Sequence, residues 1–166
     1  MSGTLSKDLT TLSKLRHFRP RLNNLSGSLP VDIEVMRGLE YWNSYGNEHM
    51  TGTIPEGISV LTNLNFFALK NNLHNGTIPW QLGDLTKLTV VALADNFFTG
   101  TIPESLGQLS KVKIFEISHN LLTGELLLIY IYFFHVLNHL LMNYIRKLHW
   151  NYRYLSLAVD LCMPLN

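Results

Sequence analysis

Between Leu61 and Leu126 the apolar positions recur in a fixed order, most cleanly as Leu85, Leu88, Val91 and Leu93, then Phe98, Ile102, Leu106 and Leu109. Val91 and Leu93 alternate with Ala92 and Ala94, the period-two pattern of a short strand with one buried face. A Gly-Thr-Ile-Pro element follows at Gly52, Gly76 and Gly100, with Gly27-Ser-Leu-Pro upstream and Gly124-Glu-Leu as a truncated echo. Those five glycines are spaced 25, 24, 24 and 24 residues apart. A fixed period of this length predicts a solenoid, because one coil cannot bury its apolar side alone and stacked neighbours can.

The special residues of the repeat each have a task. Asn96 follows the strand where the chain must turn. Its amide donates and accepts, so stacked asparagines can satisfy turn backbone groups that burial would leave unpaired. Gly100 permits a positive-φ or close backbone path, and Pro103 stops the strand. The first coil then reads Leu12, Leu15, Phe18, Pro20, Asn23, Leu25 and Gly27, and the second Met36, Leu39, Trp42, Ser44, Asn47, Met50 and Gly52. Pro20 stands where an inward strand residue is expected and removes a ladder donor. Ser44 replaces a core leucine, and a buried hydroxyl without a partner costs on the order of 1–3 kcal/mol. With one residue also inserted between Asn47 and Gly52, this is expected to be the weakest internal coil. Residues 1–11 are Ser/Thr-rich and expected to fray. Residues 12–126 form the solenoid, about four and a half coils of 24 residues, and residues 127–166 form a hydrophobic tail.

The pattern LxxLxxLxLxxNxLxGxIPxxLGxL resembles the plant-type leucine-rich repeat of receptor-like kinase and receptor-like protein ectodomains and of polygalacturonase inhibitors. The match is close over Leu61–Leu126 and looser over Leu12–Val60. The resemblance implies an α/β repeat solenoid, right-handed, with a parallel β-sheet on its concave side. It also implies non-catalytic recognition of a peptide, protein or cell-wall-derived ligand at the plasma membrane or outside the cell. A co-receptor kinase is an implied partner, because the kinase motifs of such receptors do not appear in this sequence. Related ectodomains usually begin with a cysteine-paired cap, whereas Cys162 is the single cysteine here. The opening Met1-Ser-Gly-Thr-Leu-Ser-Lys lacks the apolar segment of a secretory signal. The chain is therefore expected to start inside a repeat array. The alternatives are an inhibitor of a secreted cell-wall hydrolase and a truncated, non-functional receptor fragment.

Past Gly124 the composition shifts: all 11 glycines lie at or before it, and 126–145 is rich in Leu, Ile, Tyr and Phe. Three readings stay open for this tail. It has the length of a membrane span, followed by Arg146, Lys147 and Arg153 on the cytoplasmic side. His135, Asn138, His139 and Asn143 interrupt that span at a cost. It could instead cap the open end of the solenoid, or be translated non-coding sequence. The net charge of +1 gives no reason to expect a nucleic-acid partner. No phosphate-binding glycine loop occurs. His135 and His139 stand at i and i+4 but lack a third ligand, and Cys162 has no basic neighbour to activate its thiol. No catalytic residue, metal site or cofactor is expected. Asn24-Leu-Ser26 and Asn75-Gly-Thr77 are N-glycosylation triplets in turns, relevant to a chain in the secretory pathway.

What remains is a surface. Residues between the inward strand positions line the concave face in rows one coil apart. One row, His17, Tyr41, Phe66, Val90 and Ile114, is an apolar lane. A second is Arg19, Asn43, Ala68, Ala92 and Glu116; a third is Arg21, Tyr45, Lys70, Ala94 and Ser118; a fourth is Leu22, Gly46, Asn71, Asp95 and His119. The expected ligand contacts are Tyr41, Tyr45, Phe66, Ala68, Lys70, Val90, Ala92, Asp95, Ile114 and Glu116, with Tyr41 and Phe66 as anchors. Small Ala68, Ala92 and Ala94 would let a peptide backbone approach closely. Aromatic and β-branched residues also favour strands where no ligand binds.

Overall fold

Each repeat folds into two short strands and one tight turn. The computed structural model describes residues 2–123. Strands β1 to β11 are Ser2–Thr4, His17–Phe18, Asn24–Gly27, Tyr41–Asn43, His49–Gly52, Phe66–Ala68, Leu73–Thr77, Val90–Ala92, Phe97–Gly100, Ile114–Glu116 and Leu121–Leu122. The even-numbered ones make a five-stranded parallel sheet, the concave side of the solenoid, and the odd-numbered ones a six-stranded parallel sheet beside it. Concave strands pair in step with the repeat, Tyr41 with Phe66 and Phe66 with Val90. Outer strands are offset by two residues, so that Gly76 meets Phe98 rather than Gly100.

Single 3-10 turns line the convex side, and those at Glu56–Val60, Trp80–Asp84 and Glu104–Gln108 are each preceded by a proline of the repeat. Pro55, Pro79 and Pro103 hold φ at −66°, −71° and −63°, which is where the ring locks it and where the turn needs it. Convex turns stack tightly. At Gly83 a Cβ would stand 2.3 Å from the carbonyl oxygen of Ser105 in the next coil, so only glycine fits. Between the two sheets the chain reverses through a left-handed residue in every coil: Leu22, Asn71, Asp95 and His119 at φ 53–56°, and Gly46 at 67°.

Apolar repeat positions meet in one continuous core, in which Leu39, Trp42, Leu64, Phe67, Leu88 and Val91 are fully buried. Each such leucine-sized side chain contributes about 1.5–3 kcal/mol. Two expectations need correcting. Residues 2–11 are not frayed: Ser2–Thr4 pairs with Asn24–Ser26, and Lys7–Thr11 forms a 3-10 turn capped by Ser6. The reason is that the edge of β3 offers an unpaired ladder, and Leu5 and Leu9 pack on the core. Nor is Ser44 an unpaired hydroxyl. Its Oγ accepts a hydrogen bond from the indole Nε1–H of Trp42 at 3.1 Å. The large Trp42 and the small Ser44 share the space that Phe67 and Leu69 fill in the next coil, and each buried polar atom of the pair has the other.

The asparagine after each concave strand joins coil to coil. Asn96 donates from Nδ2 to the carbonyls of Leu93 and Ala94 in its own coil and of Leu69 in the previous one, at 3.0–3.2 Å. Its Oδ1 accepts the His74 amide at 2.9 Å. Asn120 repeats the arrangement with Leu93, Ile117 and the Phe98 amide, and Asn47 with Pro20, Ser44 and the Leu25 amide. Asn72 departs from it. By the same 22-residue step its Oδ1 should receive the Met50 amide, but that amide donates to the Asn47 carbonyl at 2.8 Å. This local turn absorbs the inserted residue, and Asn72 Oδ1 is left buried without a partner. Deleting Glu48 should return the Met50 amide to Asn72. Urea unfolding is expected to show the deletion variant more stable by about 1 kcal/mol; equal or lower stability would show that the insertion does not break the rung.

Candidate functional site

The concave sheet brings the predicted apolar lane together. His17, Tyr41, Phe66, Val90 and Ile114 are successive register partners across five strands. Tyr41 and Phe66 stack with ring centroids 4.0 Å apart and planes 11° from parallel, and His17 meets Tyr41 edge-on at 6.1 Å. The parallel register brings these rings together, since neighbouring strands lie about 4.8 Å apart. Ile114, 47% exposed, ends the lane. Over the Tyr41 ring lies the guanidinium of Arg19, 4.2 Å from its centroid. This cation–π contact holds the tyrosine from above. Arg19 was legible only as a member of a row; its stacking depends on the two-residue strand β2, which ends before it.

The other expected contacts divide. Lys70 Nζ reaches Glu116 Oε2 at 2.9 Å, although the two residues belong to β6's and β10's coils with β8 between them. The pair therefore spans the middle coil, where Ala92 and Ala94 leave the room. Hydrogen bonding to Glu116 raises the Lys70 pKa, which keeps the ammonium charged. Half-exposed in solvent, the bridge contributes little to stability; it sets a charged rim beside the lane. Ala68 and Ala92 are only 4% and 8% exposed. The close backbone approach expected over them is thus not open, because their larger neighbours on the sheet overhang such short side chains. Tyr45 lies half-buried in the turn after β4, with its amide held by Asn43 Oδ1. Asp95, left-handed at φ 56°, bonds His119 Nδ1 at 3.0 Å. It faces the turn and not the lane. Both glycosylation candidates, Asn24 and Asn75, are exposed on the outer sheet, in β3 and β7.

His74 was missed. It occupies the inward position that Leu25, Met50, Phe98 and Leu122 fill in other coils, so alignment of the repeats marks it. The ring is fully buried and lies parallel to Phe98. Its Nδ1 is 3.2 Å from the Gly52 carbonyl, and its Nε2 has no partner. Burial pushes its pKa below the usual imidazole value.

The His135–His139 pair, Cys162 and the proposed membrane segment 126–145 lie outside the described residues. Among the described residues no helix is long and apolar enough to cross a membrane.

Stacked 24-residue coils, a concave parallel sheet and an asparagine ladder define a leucine-rich repeat protein. The Leucine Rich Repeat family model matches residues 87–109. The fold superposes on the ectodomain of the receptor kinase SOBIR1 from Arabidopsis thaliana with a TM-score of 0.69 and 30% identity, covering 75% of this chain and 68% of that one. The chain belongs to the family of plant leucine-rich repeat receptor-kinase ectodomains. It is also similar to the plant peptide hormone receptor RGFR1, solved with RGF2, at TM-score 0.71 and 30% identity over 74% of this chain and 19% of that one. The Arabidopsis receptor kinase HAESA, solved with the peptide hormone IDA and the co-receptor SERK1, matches at TM-score 0.67 and 31% identity over 74% and 21%. The chain thus spans about a fifth of the length of these two hormone receptors. No curated protein sequence matches it.

Because His74 is held neutral by burial, the unfolded chain binds more protons than the folded one below about pH 6.5. Its contribution to stability is complete above that value and is lost as pH falls from about 6.5 toward the lowered folded pKa. His74→Phe, the residue at the equivalent Phe98, should remove this loss. Unfolding followed at pH 7 and pH 5 is expected to show a smaller acid-induced drop in Tm for the variant; equal drops would mean that other groups carry the acid sensitivity.

Proposed function

We propose that this chain is a non-catalytic recognition module that binds an extended peptide or a protein segment along its concave sheet, on the outside of the cell or at the plasma membrane. One observation carries the reading: the Arg19–Tyr41–Phe66 stack, continued by Val90 and Ile114, is an ordered apolar lane on the open face of the sheet. Rigid aromatics give large contact area at small entropic cost. The rim beside the lane carries both signs of charge, Lys70 and Glu116 at one end and Arg16 and Glu40 at the other. An extended segment laid across the strands would meet apolar anchors every coil and polar groups at its margin, the arrangement of a typical interface.

The complexes formed by RGFR1 and HAESA support a peptide ligand, and the HAESA complex supports a co-receptor kinase as a second partner. Affinity would come from Tyr41, Phe66, Val90 and Ile114, with Lys70 and Glu116 selecting charge; Ala92 and Ala94 serve as spacers that let the ion pair cross.

A displayed library of random dodecapeptides, panned against the full chain, tests this reading. Selected peptides are expected to lose at least about tenfold in affinity on Phe66→Ala or Tyr41→Ala, and none on Trp80→Ala at the convex side. Peptides that bind Phe66→Ala as well as the parent would place recognition elsewhere.

A further inference from the structure

The outer sheet carries a second exposed apolar row that ligand recognition on the concave side does not use. Leu73, Phe97 and Leu121 hold the same repeat position in three successive coils and are 38%, 48% and 58% exposed. Ser26, Thr51 and Thr99 hold the next outward position in their coils; in the third coil that place is taken by Asn75, followed by Gly76 and Thr77. Asn75 is the register partner of Phe97 on the adjacent strand. Both are exposed on the same face, about 4.8 Å apart along the ladder. An acceptor triplet therefore stands beside the one exposed ring of the row.

We propose that Asn75 carries an N-linked glycan whose innermost sugar seats on the Phe97 ring, covering the apolar row and stabilising the third and fourth coils. A pyranose presents one face of C–H groups and an edge of hydroxyls. Laid on an aromatic ring, the C–H face removes apolar area from water while the hydroxyls stay hydrated. Asn24, the other acceptor, has Ser2 as its register partner, and no aromatic residue stands directly across from it as Phe97 does from Asn75. The two triplets, alike in sequence, differ in what lies across the ladder.

The transfer uses an oligosaccharide carried on a lipid pyrophosphate. Asn75 Nδ2 attacks the anomeric carbon and forms the C–N bond, the anomeric C–O bond breaks, and the lipid pyrophosphate leaves with the electron pair. The amide proton passes to a base of the transferring enzyme. In the native setting this rests on the proposed extracellular location, since glycan transfer belongs to the secretory route.

The test uses the full chain behind an added secretion leader in a eukaryotic host, which makes site occupancy independent of natural targeting. Peptide mass spectrometry should find Asn75 modified. Trimmed to one N-acetylglucosamine, the protein should melt a few degrees above Asn75→Thr, which carries the residue found at Thr51 and Thr99. The increment should vanish on Phe97→Ser and shrink on Phe97→Leu, which keeps apolar area without a flat ring. Moving the acceptor one coil back by Thr51→Asn with Asn75→Thr sets the sugar against Leu73 and should give a smaller increment. An unmodified Asn75, or an increment that survives Phe97→Ser, overturns the proposal. Fractionating plant tissue and detecting the endogenous protein with an antibody to the solenoid tests the location separately: recovery only from inside the cell would sink that reading and leave the result at Asn75 standing.

Discussion

The solenoid depends on where the turn between its two sheets finds hydrogen bonds. After each concave strand the chain passes through a left-handed residue and then an asparagine, and the carbonyls at that corner point into the stack instead of into water. A buried carbonyl or amide without a partner costs about 1–3 kcal/mol, and each corner presents several. Asn47, Asn96 and Asn120 each bond two coils at once. Spacing is thereby fixed: the side chain reaches the amide 22 residues earlier only if no residue intervenes. Glu48 shows the limit. One inserted residue forms its own turn, and a single rung is lost while the sheets on either side keep their register.

A fixed corner has consequences for the open face. Three-residue concave strands held in register put equivalent side chains one strand spacing apart, so a tyrosine in one coil and a phenylalanine in the next must stack. The same regularity lets Lys70 and Glu116 meet across a coil that has alanines, Ala92 and Ala94, at the positions between them. Order in the lane is thus a property of the scaffold. A ligand binding there would find rings and charges already placed and would not have to order them.

Much of this was legible from the period alone. Five glycines at near-constant spacing predicted the coils, and the repeat placed the strand, the ladder asparagine and the apolar lane at residue level. What escaped depended on pairs distant in sequence or on neighbours of unusual size. Ser44 looked unsatisfied because its partner is a tryptophan standing where other coils carry a phenylalanine or valine. Residues 1–11 looked unstructured because composition does not reveal that β3 has an open edge for Ser2–Thr4. Ala68 and Ala92 occupy strand positions on the open side and yet are buried, because a short side chain there need not reach solvent when its neighbours are long. His74 stands at a position that other coils fill with Leu25, Met50, Phe98 and Leu122, and only alignment of the coils marks it as buried.

The corner hydrogen bonds can be tested one at a time. In Asn96→Ala the His74 amide loses its acceptor, and the carbonyls of Leu69 and Leu93 lose a donor. Native-state hydrogen exchange should then show the His74 amide exchanging about 10- to 100-fold faster, with the Phe98 amide, held by Asn120, much less affected. If His74 keeps its protection without Asn96, the ladder does not hold the coils together, and core packing alone sets the fold.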